Sequence, residues 1–243
     1  MADRQFQPRE ALEAFVDATH WWVEDVLPNA VGADLDAPGL GEWSVAELIA
    51  HTTRAFTTTV DYIDPAPADG PDLLAASAYW RKGLSTEGVN EAVAERARSE
   101  LAGMDDVIAV ALERADTALQ TVGATLPNAT VHSPLGDLRF DQYLVTRTVE
   151  IVVHGLDLAA ALEVDLPAPA SATSVVIALL GECVRNDAAA SATVIRALTG
   201  RSAHGSPCPF DQVRKWWHKL ERINGIEMLF RQGPESRGES NTE

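Results

Sequence analysis

The chain has 243 residues, 46% of them hydrophobic, and a formal net charge of −17 at pH 7. This length suffices for one domain, or for one domain with a smaller appendage, whose core needs no disulfides. The negative charge argues against binding to nucleic acid, because phosphate contacts need a basic surface. The two cysteines have no CxxC spacing, which argues against a disulfide framework or a thiol redox motif.

A cytoplasmic location is expected from the same features. The N-terminal residues are charged where a signal peptide needs an apolar run. No uncharged apolar stretch has the length that spans a bilayer, so we expect no contact with a membrane. The charge is uneven: residues 1–200 carry a net charge of −18, whereas residues 201–243 carry a net charge of +1.

Helical periodicity recurs along the chain and strand signals are scarce, so the predicted fold class is all-α. The predicted helices cover residues 8–27, 45–63, 73–84, 90–122, 141–162, 171–184 and 187–198. Ser44 and Glu47 form a capping box at the start of the second helix, and Asp141 is the predicted N-cap of the fifth. Residues 130–140 contain a Pro/Gly turn and are interpreted as a loop or a small hairpin. Helices joined by modest loops suggest an antiparallel bundle with a helical extension.

The predicted helix 141–162 is apolar on nearly all sides, which is typical of a buried helix. Four ionisable residues interrupt it at spacings of three, four and three: Arg147, Glu150, His154 and Asp157. At 3.6 residues per turn these positions lie within roughly 80° of one another. Ionisable groups on a buried helix must be paired, hydrated or bound to a ligand.

Glu150 and His154 are four residues apart, so their side chains converge on one point. A carboxylate with an imidazole suits zinc and its first-row neighbours, and Asp157 is placed to fix the tautomer of His154. The alternative is an ion pair of Arg147 with Glu150 beside a core histidine. Both interpretations stay open, because ExxxH spacing alone is common.

A third metal ligand must come from another element, and His51 on the second helix is a candidate. Glu47 lies one turn before it, as a possible fourth ligand, and Arg54 lies one turn after it. The main apolar face of this helix lies mostly opposite these three residues. Periodicity alone therefore also allows His51 to be an ordinary histidine on a solvated face.

Two motifs point to a known family. Residues 41–51 (GEWSVAELIAH) resemble the W-S-x-x-x-L-x-x-H signature of the DinB-like superfamily, in particular of the mycothiol-dependent maleylpyruvate isomerase family of actinobacteria. Residues 147–159 (RTVEIVVHGLDLA) are similar to that family's R-x-x-E-x-x-x-H-x-x-D-x-A segment. The two motifs in this order are far more specific than either alone.

The resemblance implies a DinB-like four-helix bundle with a helical C-terminal extension. It also implies a divalent metal ion, with zinc the first choice, held by His51, Glu150 and His154 with positions left open for water or a thiol. The expected domains are a metal-binding bundle over residues 8–165, a helical extension over 166–200 and a tail over 201–243. The tail matches nothing in the family pattern and is expected to be partly disordered.

The function expected from the resemblance is that of a metal-dependent S-transferase or isomerase that uses mycothiol and acts on a small electrophilic substrate. Arg147 is the candidate catalytic residue, because its guanidinium suits bidentate contact with a carboxylate. Two alternatives remain: a metal-dependent hydrolase of the same fold, and a non-catalytic metal-binding helical protein. The expected partners are therefore a small thiol and a small electrophile, with neither nucleic acid nor membrane.

Overall fold

The computed structural model describes residues 3–68, 73–85 and 89–198. Within these ranges the chain is mostly helical, with short antiparallel strands. The helices are α1 (Pro8–Trp21), α2 (Val45–Asp61), α3 (Ala76–Leu84), α4 (Val89–Leu101), α5 (Val107–Ala124), α6 (Phe140–Ala161), α7 (Ala170–Val184) and α8 (Ala188–Leu198). The strands are β1 (Pro38–Leu40), β2 (Trp43–Ser44), β3 (Ile63–Pro67), β4 (Ala129–Ser133) and β5 (Gly136–Arg139).

Four of the helices form a bundle around the main hydrophobic core. Helix α1 packs on α6, α6 on α2, and α2 on α5, which in turn contacts α1. The inward faces carry large side chains that are fully buried, including Phe15, Phe56 and Tyr143. Helix α6 is the most enclosed of the four, because 15 of its 22 residues are buried. Helix α7 packs outside the bundle on α1 and α6, and α4 packs on α2.

Helices α1 and α6 approach each other closely at Gly155. A Cβ atom at this position would lie 2.5 Å from Cζ3 of Trp21 and 3.2 Å from Cδ1 of Trp22. Both indole rings are buried in the core, so neither can move aside at low cost. Glycine at position 155 therefore sets the separation of the two helices, one residue after His154.

The expectation of a strictly all-α protein is corrected by two small antiparallel sheets. Strands β1 and β2 form a hairpin, and β3, β4 and β5 form a sheet in that order. The turn predicted within residues 130–140 joins β4 to β5, so this segment is a hairpin. Strand β3 was not expected, because it contains Pro65 and Pro67. It lies at the edge of the sheet, where the backbone N–H that proline lacks is not needed for pairing.

The single long helix predicted over residues 90–122 is wrong, because the chain forms α4 and α5 there. The break follows Leu101 and includes Gly103, which is a poor helix former. Asp106 then caps α5, since its Oδ1 accepts hydrogen bonds from the backbone N–H groups of Ile108 and Ala109. The signals for this break, Gly103 and Asp106, are both present in the local sequence.

Two helix ends also differ from expectation. Arg139, not Asp141, is the N-cap residue of α6. The Asp141 carboxylate lies in the first turn, where it accepts hydrogen bonds from the side chains of Arg139 and Gln142. After α1 the chain continues through a π-helical turn and a 3-10 turn that ends at Ala30, so the helical stretch extends three residues beyond its predicted end at residue 27.

The C-terminal part was expected to start after residue 165, and α7 and α8 lie where helices were predicted. The chain forms two compact units, Met1–Asn186 and Asp187–Glu243. In the second unit the structure describes α8, whose first backbone N–H groups donate to Oδ1 of Asp187. The predicted tail over residues 201–243 lies outside the described residues. None of the described helices combines the length and apolar character needed to cross a bilayer.

The close contact of α1 with α6 predicts that Gly155→Ala destabilises the protein. The added methyl group overlaps the Trp21 ring, and overpacking of this kind costs about 1–3 kcal/mol. Gly181→Ala is the matched control, since Gly181 also lies inside a helix but has open space around its Cβ position. That substitution should leave stability unchanged or raise it by up to about 1 kcal/mol. Urea unfolding of both variants tests this, and equal midpoints would contradict it.

The three-stranded sheet predicts a raised histidine pKa. His132 on β4 lies between two carboxylates, with Nδ1 3.0 Å from Asp137 and Nε2 3.6 Å from Asp64. The hydrogen bond to Asp137 is the main cause that raises the pKa of His132 above its ordinary value. Stabilisation by this contact is therefore fully present below the ordinary pKa of histidine, as long as Asp137 is ionised, and disappears as the pH rises through the raised pKa of His132. An NMR titration should show a midpoint above about 6.5, lowered more by Asp137→Asn than by Asp64→Asn.

Candidate metal centre

Helix α2 presents His51 two turns after its first residue. The predicted capping box is present: the Ser44 hydroxyl accepts from the Glu47 backbone N–H at 3.2 Å, and the Glu47 carboxylate accepts from the Ser44 backbone N–H at 2.8 Å. The other Glu47 oxygen accepts from Arg98 of α4 at 3.1 Å. With both oxygens occupied, Glu47 is committed to these structural contacts, and it is not among the clustered donors described below.

The stripe of α2 that carries His51 is not a solvated face, because α4 lies against it. Arg98 pairs with Glu47 at one end of the stripe, and Glu100 pairs with Arg54 at the other. Between these ion pairs the His51 side chain is only 14% exposed. Periodicity could not show this, since the covering helix is distant in sequence.

The four ionisable residues of α6 also lie on one face of the helix, as predicted. The Glu150 side chain is 24% exposed and that of His154 is 16% exposed, whereas Arg147 is buried. Nδ1 of His154 lies 3.1 Å from Oδ2 of Asp157, at hydrogen-bond distance. This contact favours a proton on Nδ1 and leaves the Nε2 lone pair free when the imidazole is neutral.

His51, Glu150 and His154 converge on one point between α2 and α6. Oε2 of Glu150 lies 3.3 Å from Nε2 of His154 and 3.7 Å from Nε2 of His51. The ring centroids of the two histidines are 4.7 Å apart. One donor atom from each residue lies within 4.8 Å of the other two. The structure thus brings together all three residues that the sequence suggested as metal ligands.

The donors influence one another strongly. Burial alone would raise the pKa of the Glu150 carboxyl, but the imidazoles of His154 and His51 and the charge of Arg147 hold it well below its usual range. Burial alone would lower the pKa of His154, but hydrogen bonds to Asp157 and Glu150 raise it to about 9. The positive neighbours thus keep Glu150 ionised, and the two carboxylates favour a positive charge at His154.

The spacing and chemistry of the donors fit a zinc-type ion. Ligands about 2.0–2.2 Å from a tetrahedral ion lie about 3.4 Å from one another, close to the two distances measured to Glu150. Imidazole nitrogen and carboxylate oxygen are both preferred ligands of zinc. The ion-pair alternative is also partly present, since Nη2 of Arg147 lies 3.8 Å from Oε1 of Glu150. That distance is too long for a hydrogen bond. The contact also involves Oε1, whereas Oε2 is the oxygen that lies near the two imidazoles.

The three donors lie on the wall of a cavity of about 700 Å³. Its other walls come from α3, from α4 and from the β4–β5 turn. The apolar lining includes Leu40, Trp80, Leu84 and Leu135. Arg54, Arg96 and Arg147 also line it, whereas Glu150 is its one acidic residue among those described. The cavity is therefore rich in positive charge although the chain is strongly negative.

Arg147 lies in this cavity one turn before Glu150. Its Nε donates a hydrogen bond to the Thr146 hydroxyl at 3.2 Å, and its guanidinium carbon lies 4.8 Å from the centre of the Tyr143 ring. Within the part of the chain that the structure describes, its terminal N–H groups have no hydrogen-bond acceptor. A buried guanidinium with free donors is suited to bind an anionic group.

A family model described as mycothiol maleylpyruvate isomerase N-terminal domain matches residues 12–159. This match covers more than half of the chain. The chain belongs to this family. The resemblance in the two motifs is thereby confirmed. Neither a curated protein nor a solved structure shows significant similarity to the chain.

The range matched by the mycothiol maleylpyruvate isomerase family model contains the whole candidate centre. It runs from within α1 nearly to the end of α6 and includes His51, Glu150, His154 and Asp157. Helices α7 and α8 lie outside it. The candidate centre thus lies within the part of the chain that matches the family model.

Several residues around the centre were missed in the sequence. Tyr143 lies one turn before Arg147 and continues its stripe, so extending the stripe by one turn finds this residue. Trp43 was seen as part of a motif but was given no role. Tyr62 and Tyr79 flank Tyr143 at ring-centroid distances of 6.3 and 5.9 Å. No local pattern indicates these two residues, because they reach the site from other elements.

Proposed function

We propose that this chain is a metal-dependent enzyme that uses a low-molecular-weight thiol, mycothiol, either to isomerise a small electrophilic substrate or to join the thiol to that substrate through its sulfur atom. The observation that carries the proposal is the convergence of His51, Glu150 and His154 on the wall of a cavity. Membership of the mycothiol maleylpyruvate isomerase family supports the choice of thiol.

The three side chains would hold a divalent ion, with zinc the first choice. A bound cation would supply the charge that keeps a coordinated thiol deprotonated at neutral pH. Asp157 holds the His154 ring in one orientation through Nδ1, so that Nε2 would be available to the ion. Two imidazoles and one carboxylate form an open ligand set, whereas structural zinc is normally enclosed by four protein ligands.

Arg147 would bind and orient a carboxylate on the substrate. Its terminal N–H groups face the cavity without an acceptor among the described residues, and its Nε is anchored on Thr146. Contact with the Tyr143 ring holds the guanidinium in place. A fixed, partly desolvated guanidinium binds a carboxylate more strongly than one that moves freely in water.

The shape and charge of the cavity suit a small anionic ligand. A volume of about 700 Å³ lies within the usual range of small-molecule sites, about 300–1,000 Å³. Its walls are largely apolar, and its arginines would favour an anionic ligand over a neutral one. A hydrolase of the same fold would use the same three donors, and family membership favours the thiol enzyme over it.

The proposal predicts about one zinc or other first-row metal ion per chain in protein purified without chelators. His51→Ala and His154→Ala should each lose most of this metal, because two remaining donors bind an ion weakly. Asp157→Ala should keep the metal but weaken its binding about 10–100-fold, since it removes a contact to a ligand and not a ligand itself. Elemental analysis and chelator competition measure both effects.

His20→Ala is the control for these variants. His20 pairs with Glu24 on the exposed side of α1, so its removal should leave the metal content unchanged. Full retention of metal by the double variant His51→Ala, His154→Ala would remove the assignment of the ligands.

A second prediction concerns the thiol. Calorimetry should show that mycothiol binds metal-loaded protein more tightly than metal-free protein, because the loaded centre favours the thiolate. S-methylated mycothiol keeps the sugar but cannot form a thiolate, so its affinity should not depend on the metal. Equal affinity of mycothiol for both forms of the protein would exclude direct contact of its sulfur with the metal.

A further inference from the structure

The Trp43 indole contacts both histidines of the candidate centre. Its ring centroid lies 4.8 Å from that of His51, with an interplanar angle of 63°, and 6.4 Å from that of His154. Trp43 is half-buried and lines the cavity beside the donors. An aromatic ring at these distances limits the orientations that a neighbouring ring can adopt.

The local sequence fixes Trp43 in this place. Gly41, at a φ of +59°, forms the turn between β1 and β2, a conformation that glycine adopts without strain. At Gly39 a Cβ atom would lie 2.7 Å from the Ser44 carbonyl oxygen, so the two strands pass very closely. Ser44 directly follows Trp43 and caps α2. The indole is thus tied to the start of the helix that carries His51.

The two histidines differ in what orients them. Nδ1 of His154 lies at hydrogen-bond distance from Asp157. Within the described part of the chain, Nδ1 of His51 has no hydrogen-bond partner. Histidines that bind metals almost always use their second nitrogen in such a contact, which fixes the ring and its tautomer. For His51 the ring contact with Trp43 is the corresponding constraint.

We propose that Trp43 is the positioning residue of His51, which holds the imidazole by ring contact where His154 is held by Asp157. The inference rests on the proposed metal centre and adds to it an aromatic contact in place of a hydrogen bond.

The proposal is tested by the metal affinity of Trp43→Leu and Trp43→Phe. The leucine variant removes the aromatic ring and should weaken zinc binding about tenfold or more, on the scale of losing an outer contact to a ligand. The phenylalanine variant keeps a ring and should stay within about threefold of the unaltered protein. Substitution with Co²⁺ gives visible absorption bands that report ligand geometry, and these should shift in Trp43→Leu but not in Trp43→Phe.

Trp80→Leu is the matched control, since Trp80 lines the same cavity but has no ring contact with either histidine among the described residues. It should leave the zinc affinity and the Co²⁺ bands unchanged. Equal losses in Trp80→Leu and Trp43→Leu would overturn the proposal, because the effect would then belong to the cavity as a whole. Unchanged affinity in Trp43→Leu, or a loss of affinity as large in Trp43→Phe, would overturn it as well.

Tryptophan fluorescence keeps the test decisive if Trp43→Leu does not fold. Adding zinc to the metal-free protein should change the tryptophan emission, and this change should be largely absent in Trp43→Phe. A change of full size in that variant would show that the indole does not sense the centre. Failure of the unaltered protein to bind metal would instead overturn the proposed function itself, and the two failures are therefore distinguishable.

Discussion

Burial of charge on helix α6 is the constraint on which the other features of the site depend. An ionised side chain taken out of water costs several kcal/mol unless partners replace its hydration. The helix meets this cost by placing its charges on one stripe, where His154 contacts Asp157 on one side and Glu150 on the other. Helix α2 supplies His51 to the same carboxylate. The packing of α2 on α6 and the grouping of these charges therefore require each other.

Close helix packing holds this arrangement in place. Gly155 allows α1 to approach the back of α6, directly beside the residue that carries the second imidazole. On the other side, two ion pairs join α4 to α2 and cover the stripe that contains His51. The donors thus lie on elements that are fixed from both directions. Rigid support of this kind is what a preorganised binding site needs.

Much of the centre could be predicted from the sequence because its signals are local. The capping box of Ser44 and Glu47 locates the start of α2. The spacing of Glu150 and His154 shows that their side chains converge on one point. The low exposure of His51 could not be predicted. Helix α4 lies against this stripe of α2, whereas periodicity within α2 placed the buried face on the opposite side. The contacts of Trp43 and Tyr62 are tertiary for the same reason. The break at Gly103 and Asp106 had a local signal, which was outweighed by helical periodicity on both sides.

X-ray absorption at the metal edge of the native protein would observe the ligands of the bound ion themselves. We expect two imidazole nitrogens at about 2.0–2.1 Å and a carboxylate oxygen at about 2.0–2.2 Å from zinc. Addition of mycothiol should then introduce one sulfur at about 2.3 Å. A spectrum without imidazole scattering would contradict the assigned ligands. A spectrum in which mycothiol adds no sulfur would contradict the proposed role of the thiol.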